Sequence, residues 1–151
     1  MTPAPKLLPR ILLIEDSDAR IAQFREWLPD SVVLVIAASA GRAIGTLQHS
    51  APRDYAGILL DHDLVQQVVS EAELSFSGSD VVNTLTAKIS CEVPVLVHSV
   101  NPSGASYMYR RLKSSGFDVT LSPMTNLTQE RFGVWLKNVL ELWEDWMEDN
   151  S

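Results

Sequence analysis

Residues 55–64, Tyr-Ala-Gly-Ile-Leu-Leu-Asp-His-Asp-Leu, run apolar through Leu60 and then close abruptly on Asp61, His62, Asp63 and Leu64. A short apolar run without polar alternation reads as a strand covered on both faces, and its sudden polar end places chemistry at the carboxyl end of that strand. The same profile recurs on either side. Ile11 to Ile14 ends in Glu15-Asp16, and Val93 to Val97 ends in His98-Ser99-Val100-Asn101. Val32 to Ala37 and Phe117 to Leu121, the latter closed by Ser122-Pro123, complete a set of five apolar runs.

Helical signals fill the gaps. Ser17 or Asp18 caps a segment with Ile21, Phe24 and Leu28 at helical spacing before Pro29 stops it. Ala40 to Ser50 carries Ala43, Ile44 and Leu47 on one side, and Ser77 to Asp80 opens a helix through about Ile89 with Val81, Val82 and Leu85. Pro102 begins another that ends at Gly116. From Thr128 a long stripe follows: Phe132, Trp135, Leu136, Val139, Leu140, Trp143, Trp146 and Met147. Strict alternation of strand and helix predicts an α/β fold, a doubly wound five-stranded parallel sheet in the order 2-1-3-4-5. One domain spans residues 10–149, with a proline-bearing arm over 1–9. The stretch from Val65 to Gly78 is longer than an ordinary connection and reads as a lid, or as a short extra helix over Val65 to Leu74.

Composition narrows the function. At 151 residues the chain is of single-domain size. A formal charge of −7 speaks against a surface for long nucleic acid, which is held by clustered Lys and Arg, and favours a small ligand or a protein partner. Cys91 is the lone cysteine, so an internal disulfide framework and a cysteine-rich metal site are excluded, and a reducing compartment is expected. No signal pattern opens the chain and nowhere do about eighteen apolar residues run together, which predicts a cytoplasmic protein without a membrane partner. His49 reads as a solvated helix end. Trp143, Trp146 and Met147 extend beyond what a sheet ordinarily covers, which marks the last helix as a surface for a homodimer or a protein partner.

In the order 2-1-3-4-5 the ends of strands one, three and four are neighbours, and ligands bind open α/β sheets at such ends. Over roughly Ile11 to Pro123 the chain resembles the receiver domains of response regulators, of flavodoxin-like architecture. The resemblance implies that Glu15 and Asp16 are the acidic pair that helps hold Mg²⁺, that Asp61 is the phosphate-accepting aspartate, and that Ser99 is the switch hydroxyl. Ser122 departs from it, standing before Pro123 where the family has a lysine. Asp61-His62-Asp63-Leu64 and His98-Ser99-Val100-Asn101-Pro102-Ser103-Gly104-Ala105 are similar to the signatures of a divergent branch, the cyclic-phosphate processing receiver-like family. That similarity implies action on a cyclic nucleotide or a terminal cyclic phosphate.

The chemistry follows from the residue types. Opening a cyclic phosphodiester with water requires a base for the water proton and an acid for the departing alkoxide, and imidazoles with an unperturbed pKa of about 6.5 supply both near neutrality. His62 and His98 are the candidate pair, with Asp61 or Asp63 in support. If Asp61 and Ser99 both face the receiver site, strand alternation gives His62 and His98 the opposite parity, facing each other or turned under the helices. Arg20 or Arg42 offers a guanidinium to phosphate, Asn101 an amide, and the helix start at Ser103 and Gly104 its backbone N–H groups. Three carboxylates, Glu15, Asp16 and Asp61, repel one another unless protons or a hard cation such as Mg²⁺ intervene. Three readings stay open: a phosphodiesterase-type enzyme, a two-component receiver phosphorylated on Asp61, and a binding module without turnover.

Overall fold

The computed structural model describes residues 7–61, 78–99 and 102–150. Five parallel strands, β1 (Arg10–Ile14), β2 (Val33–Ala37), β3 (Gly57–Asp61), β4 (Val95–Ser99) and β5 (Val119–Pro123), form one sheet in the order β2-β1-β3-β4-β5. Among the described residues the connecting α-helices are α1 (Asp18–Trp27), α2 (Ala40–Gln48), α3 (Gly78–Lys88) and α4 (Pro102–Ser114), and α5 (Gln129–Asp149) closes the fold. The stretch expected to form a lid lies outside the described residues.

The helices begin where short polar side chains can serve their free amides. The side chains of Ser17, Ser39 and Thr128 accept from the amides of Arg20, Arg42 and Arg131, at the starts of α1, α2 and α5. The end of α4 is set by Gly116 at φ 90°, in the left-handed region that favours glycine, where the Phe117 amide reaches back to the Leu112 carbonyl.

Alternation along the strands sorts the core into two layers. Ile11, Leu13, Leu59 and Leu96 pack with Phe24 of α1 and with Phe132, Trp135, Leu136 and Val139 of α5. Leu12, Ile14, Ile58, Leu60, Val95 and Val97 pack with Leu47, Val81, Leu85, Met108 and Leu112 of α2, α3 and α4. The tryptophan stripe is therefore core packing through Val139. Half-buried Leu140 and Trp143 pack against that core, Trp146 lies tilted to Trp143 with ring centroids 5.6 Å apart, and the Arg53 guanidinium lies 5.0 Å from the Trp146 ring centre.

Strands three, four and five start two residues later than the apolar runs and end one or two residues further on. The causes are local. Val93 is held in a turn by its bond to the Ser90 carbonyl, Pro94 has no amide, and Phe117 is still bonded to α4. The late ends carry Asp61, His98, Ser99 and Ser122 into the ladders themselves, which holds these residues more rigidly than a loop would.

Gly57 opens β3 where α5 crosses. A Cβ there would stand 3.0 Å from Val139 Cγ1 and 3.1 Å from Trp135 Cη2, so a hydrogen is what lets the helix approach. Gly57→Ala is expected to destabilise the protein by about 1–3 kcal/mol through overpacking. Gly45→Ala, inside α2 with nothing within 4 Å of the added carbon, is expected to be neutral or stabilising by about 0.5–1 kcal/mol. Urea denaturation of both variants checks the contrast; equal effects would mean that α5 does not need the close approach.

Candidate functional site

Glu15 leaves the end of β1, Asp61 ends β3 and His98 sits in β4, so three adjacent strands each deliver one polar side chain. All three residues are completely buried, as is Ser99. The Glu15 amide still bonds the Ala37 carbonyl, which holds residue 15 in the plane of the sheet beyond the last formal strand residue.

Register decides which side chains meet. Asp61 pairs with His98, and His98 with Ser122. Partners in a parallel ladder share a face, so His98 stands beside Asp61 on the side covered by α1 and α5, and Ser99 alternates away. The condition set from the sequence, Asp61 and Ser99 on one face, does not hold, while His98 is turned under the helices, one of the two orientations expected. The error lay in assuming where β3 and β4 align, which no single strand reveals.

The contacts are close. His98 Nε2 lies 3.1 Å from Glu15 Oε1. Arg20, one turn into α1, places Nε 3.4 Å from the same oxygen and Nη1 3.6 Å from Asp61 Oδ1. Glu15 Oε2 accepts from the amides of Asp16, at 3.0 Å, and Ser17, at 3.1 Å. Four residues later in α1, Phe24 packs its ring 5.1 Å from the imidazole, centre to centre. Phe24 in turn contacts Trp27 and Phe132, so an aromatic layer seals the imidazole on its helix side.

Burial pushes the Glu15 carboxyl above its ordinary value of 4.5, and nearby Asp16 adds to the rise. The hydrogen bonds with Asp61 and the Ser17 amide, and the Arg20 guanidinium, pull the other way without cancelling it. The His98 imidazole lies against this carboxyl, with Arg20 as fixed positive charge beside it. Ligand atoms of Glu15, Asp61 and His98 all lie within 4.8 Å of one another, a spacing that could hold a metal ion. Magnesium fits this set poorly, because both Glu15 oxygens already face N–H donors and one of the three ligands is an imidazole nitrogen.

Of the residues singled out from sequence, Glu15, Arg20, Asp61 and His98 come together. Asp16 is only half-buried and stands outside the trio. Arg42 and His49 are exposed, at the start of α2 and at its C-cap. His62, Asp63 and Asn101 lie outside the described residues, and Ser103 and Gly104 occupy the first turn of α4. From sequence Phe24 is only one of three apolar residues at helical spacing; its spacing of four from Arg20 is the available sign that both look onto one place.

The model of the family described as cyclic-phosphate processing receiver domain matches residues 10–114. No curated protein matches the chain. Among solved structures, the receiver domain of a sensor histidine kinase from Pseudomonas aeruginosa, with a magnesium ion coordinated in its active-site cleft, is 14% identical at TM-score 0.63, covering 89% of this chain and 99% of its own. A response regulator receiver domain protein from Methanospirillum hungatei is 15% identical at TM-score 0.67, covering 92% and 99%. A structure described as an adenylate cyclase from Rhodopirellula baltica is 12% identical at TM-score 0.67, covering 95% and 96%. These likenesses establish the flavodoxin-like receiver fold. No described helix is long and apolar enough to cross a membrane.

A carboxyl raised above its ordinary value keeps its proton in the folded protein at a pH where the unfolded chain has released it. Its contribution is therefore complete below about 4.5 and lost as pH rises through the folded value. Glu15→Gln keeps the shape and removes the titration. Measured as urea midpoints across the acid-to-neutral range, stability of the unsubstituted protein should fall relative to Glu15→Gln as pH rises. A relative gain in that direction would reverse the assignment.

Proposed function

Because the chain belongs to the cyclic-phosphate processing receiver domain family, we propose that it opens a cyclic phosphodiester, in a cyclic nucleotide or a terminal cyclic phosphate, at the cleft of Glu15, Asp61 and His98. The observation that carries this reading is the contact of 3.1 Å between His98 Nε2 and Glu15 Oε1, with Arg20 alongside. Water oxygen attacks phosphorus and the bond from phosphorus to one ring oxygen breaks. The water proton passes to a base, an acid protonates the departing oxygen, and a phosphate monoester results. His98 and His62 take these two roles, with Glu15 holding the His98 ring and Asp61 or Asp63 in support. Arg20 balances the charge that develops on the phosphoryl oxygens. Asn101 and the helix start at Ser103 and Gly104 hold the rest of the phosphate.

The imidazole is fully buried, so this reading includes a step in which the cleft opens to its small phosphate-containing ligand. Phosphorylation of Asp61 in a two-component relay is the rival. Against it stands Ser122, which occupies the register position beside His98 and offers no positive charge to an acyl phosphate.

³¹P NMR against 2′,3′- and 3′,5′-cyclic nucleotides tests the proposal. The protein should convert a cyclic-phosphate resonance to a monoester resonance. His98→Gln, which keeps a polar group beside Glu15, should slow conversion by about 10²–10⁴-fold, with circular dichroism confirming that it folds. Untouched cyclic substrates together with an acyl-phosphate signal from acetyl phosphate, lost in Asp61→Asn, would replace this reading with the phosphorylated receiver. Ligand binding without either signal would leave a binding module.

A further inference from the structure

Two buried carboxylates side by side require positive charge close by, because neither can be screened by water. The cleft draws that charge from within the chain. Arg20 stands within ion-pair distance of both, 3.4 Å from Glu15 and 3.6 Å from Asp61, and its own side chain is 21% exposed. It reaches them from the first turn of α1, whose start is fixed by the Ser17 cap.

A carboxylate has about four acceptor positions on its two oxygens. On Glu15 the amides of Asp16 and Ser17 approach Oε2, while His98 Nε2 and Arg20 Nε approach Oε1. A metal ion entering at Glu15 would displace one of these groups. It would also come to rest beside a guanidinium that cannot lose its proton and repels it. Magnesium adds a further demand, since it seeks near-octahedral oxygen ligands and keeps several waters. A completely buried trio that includes an imidazole nitrogen meets neither need.

We infer that Arg20 is the built-in counter-cation of Glu15 and Asp61, and that while it is in place the trio of Glu15, Asp61 and His98 takes no hard divalent cation such as Mg²⁺ or Mn²⁺. The inference concerns occupancy of the cleft and stands whether or not a cyclic phosphate is turned over there. Replacing Arg20 with an uncharged side chain should convert the trio into a metal site.

Thermal unfolding with and without MgCl₂, at matched ionic strength, tests this on the unsubstituted protein and on Arg20→Gln. The unsubstituted protein should show no magnesium-dependent shift in midpoint. Arg20→Gln should gain roughly 5 °C when magnesium exceeds its Kd about a hundredfold, and this gain should vanish in the double variant Arg20→Gln/Asp61→Asn. A magnesium shift in the unsubstituted protein that disappears in Asp61→Asn would overturn the inference, and so would a folded Arg20→Gln that ignores magnesium. Should Arg20→Gln fail to fold, paramagnetic broadening by Mn²⁺ in the unsubstituted protein decides alone. Selective broadening of the amides of Glu15, Asp61 and His98 at substoichiometric Mn²⁺ overturns it, and unaffected signals support it.

Discussion

Everything at the carboxyl edge of this sheet follows from the burial of Glu15 beside Asp61. Desolvation of a carboxylate is costly, and two of them in contact cost more, unless protons or cations are supplied. The chain supplies both. The raised Glu15 carboxyl retains its proton more readily, Arg20 brings a permanent charge, and His98 is placed to share a proton with Glu15. The cap at Ser17 and the close packing of α1 then become requirements of the site as much as of the fold, because they hold Arg20 at its working distance.

Much of this was legible in the sequence. Five apolar runs alternating with capped helical segments leave one sensible architecture, and the polar residues at the ends of Ile11–Ile14, Tyr55–Leu60 and Val93–Val97 point to the edge where Glu15, Asp61 and His98 are found. Arg20 was readable as a guanidinium near that edge because it lies early in the helix that follows the first strand, whereas its pairing with Glu15 and Asp61 was not. What escaped was relative register. Whether His98 lies beside Asp61 or one residue out of step depends on the hydrogen bonding of two strands 37 positions apart, Asp61 to His98. Periodicity within each strand is silent on it. Strand ends escaped for a related reason: apolar character marks where a strand is buried, whereas the ladder continues as long as backbone partners exist. Phe24 shows the same limit, since an apolar residue on an inner helix face looks identical in sequence whether it meets leucine or imidazole.

The receiver fold is shared with proteins only 12–15% identical to this one, yet the function of such a fold resides in the few side chains at its edge. Here those side chains combine an imidazole and a guanidinium with two acids, and a serine stands at the position beside His98 on β5. A scaffold shared with receiver domains thereby carries an imidazole, a guanidinium and two acids at the ends of adjacent strands.

Phe24 touches the His98 imidazole on one side and the Trp27 indole on the other, with ring centres 5.1 and 5.8 Å away. The charge state of a buried site thus lies one ring from a natural fluorophore, held edge-on to Phe24 at 89°. Indole emission responds to nearby charge and to the rigidity of its surroundings. Trp27 therefore places a fluorophore native to the chain within one ring of the cleft.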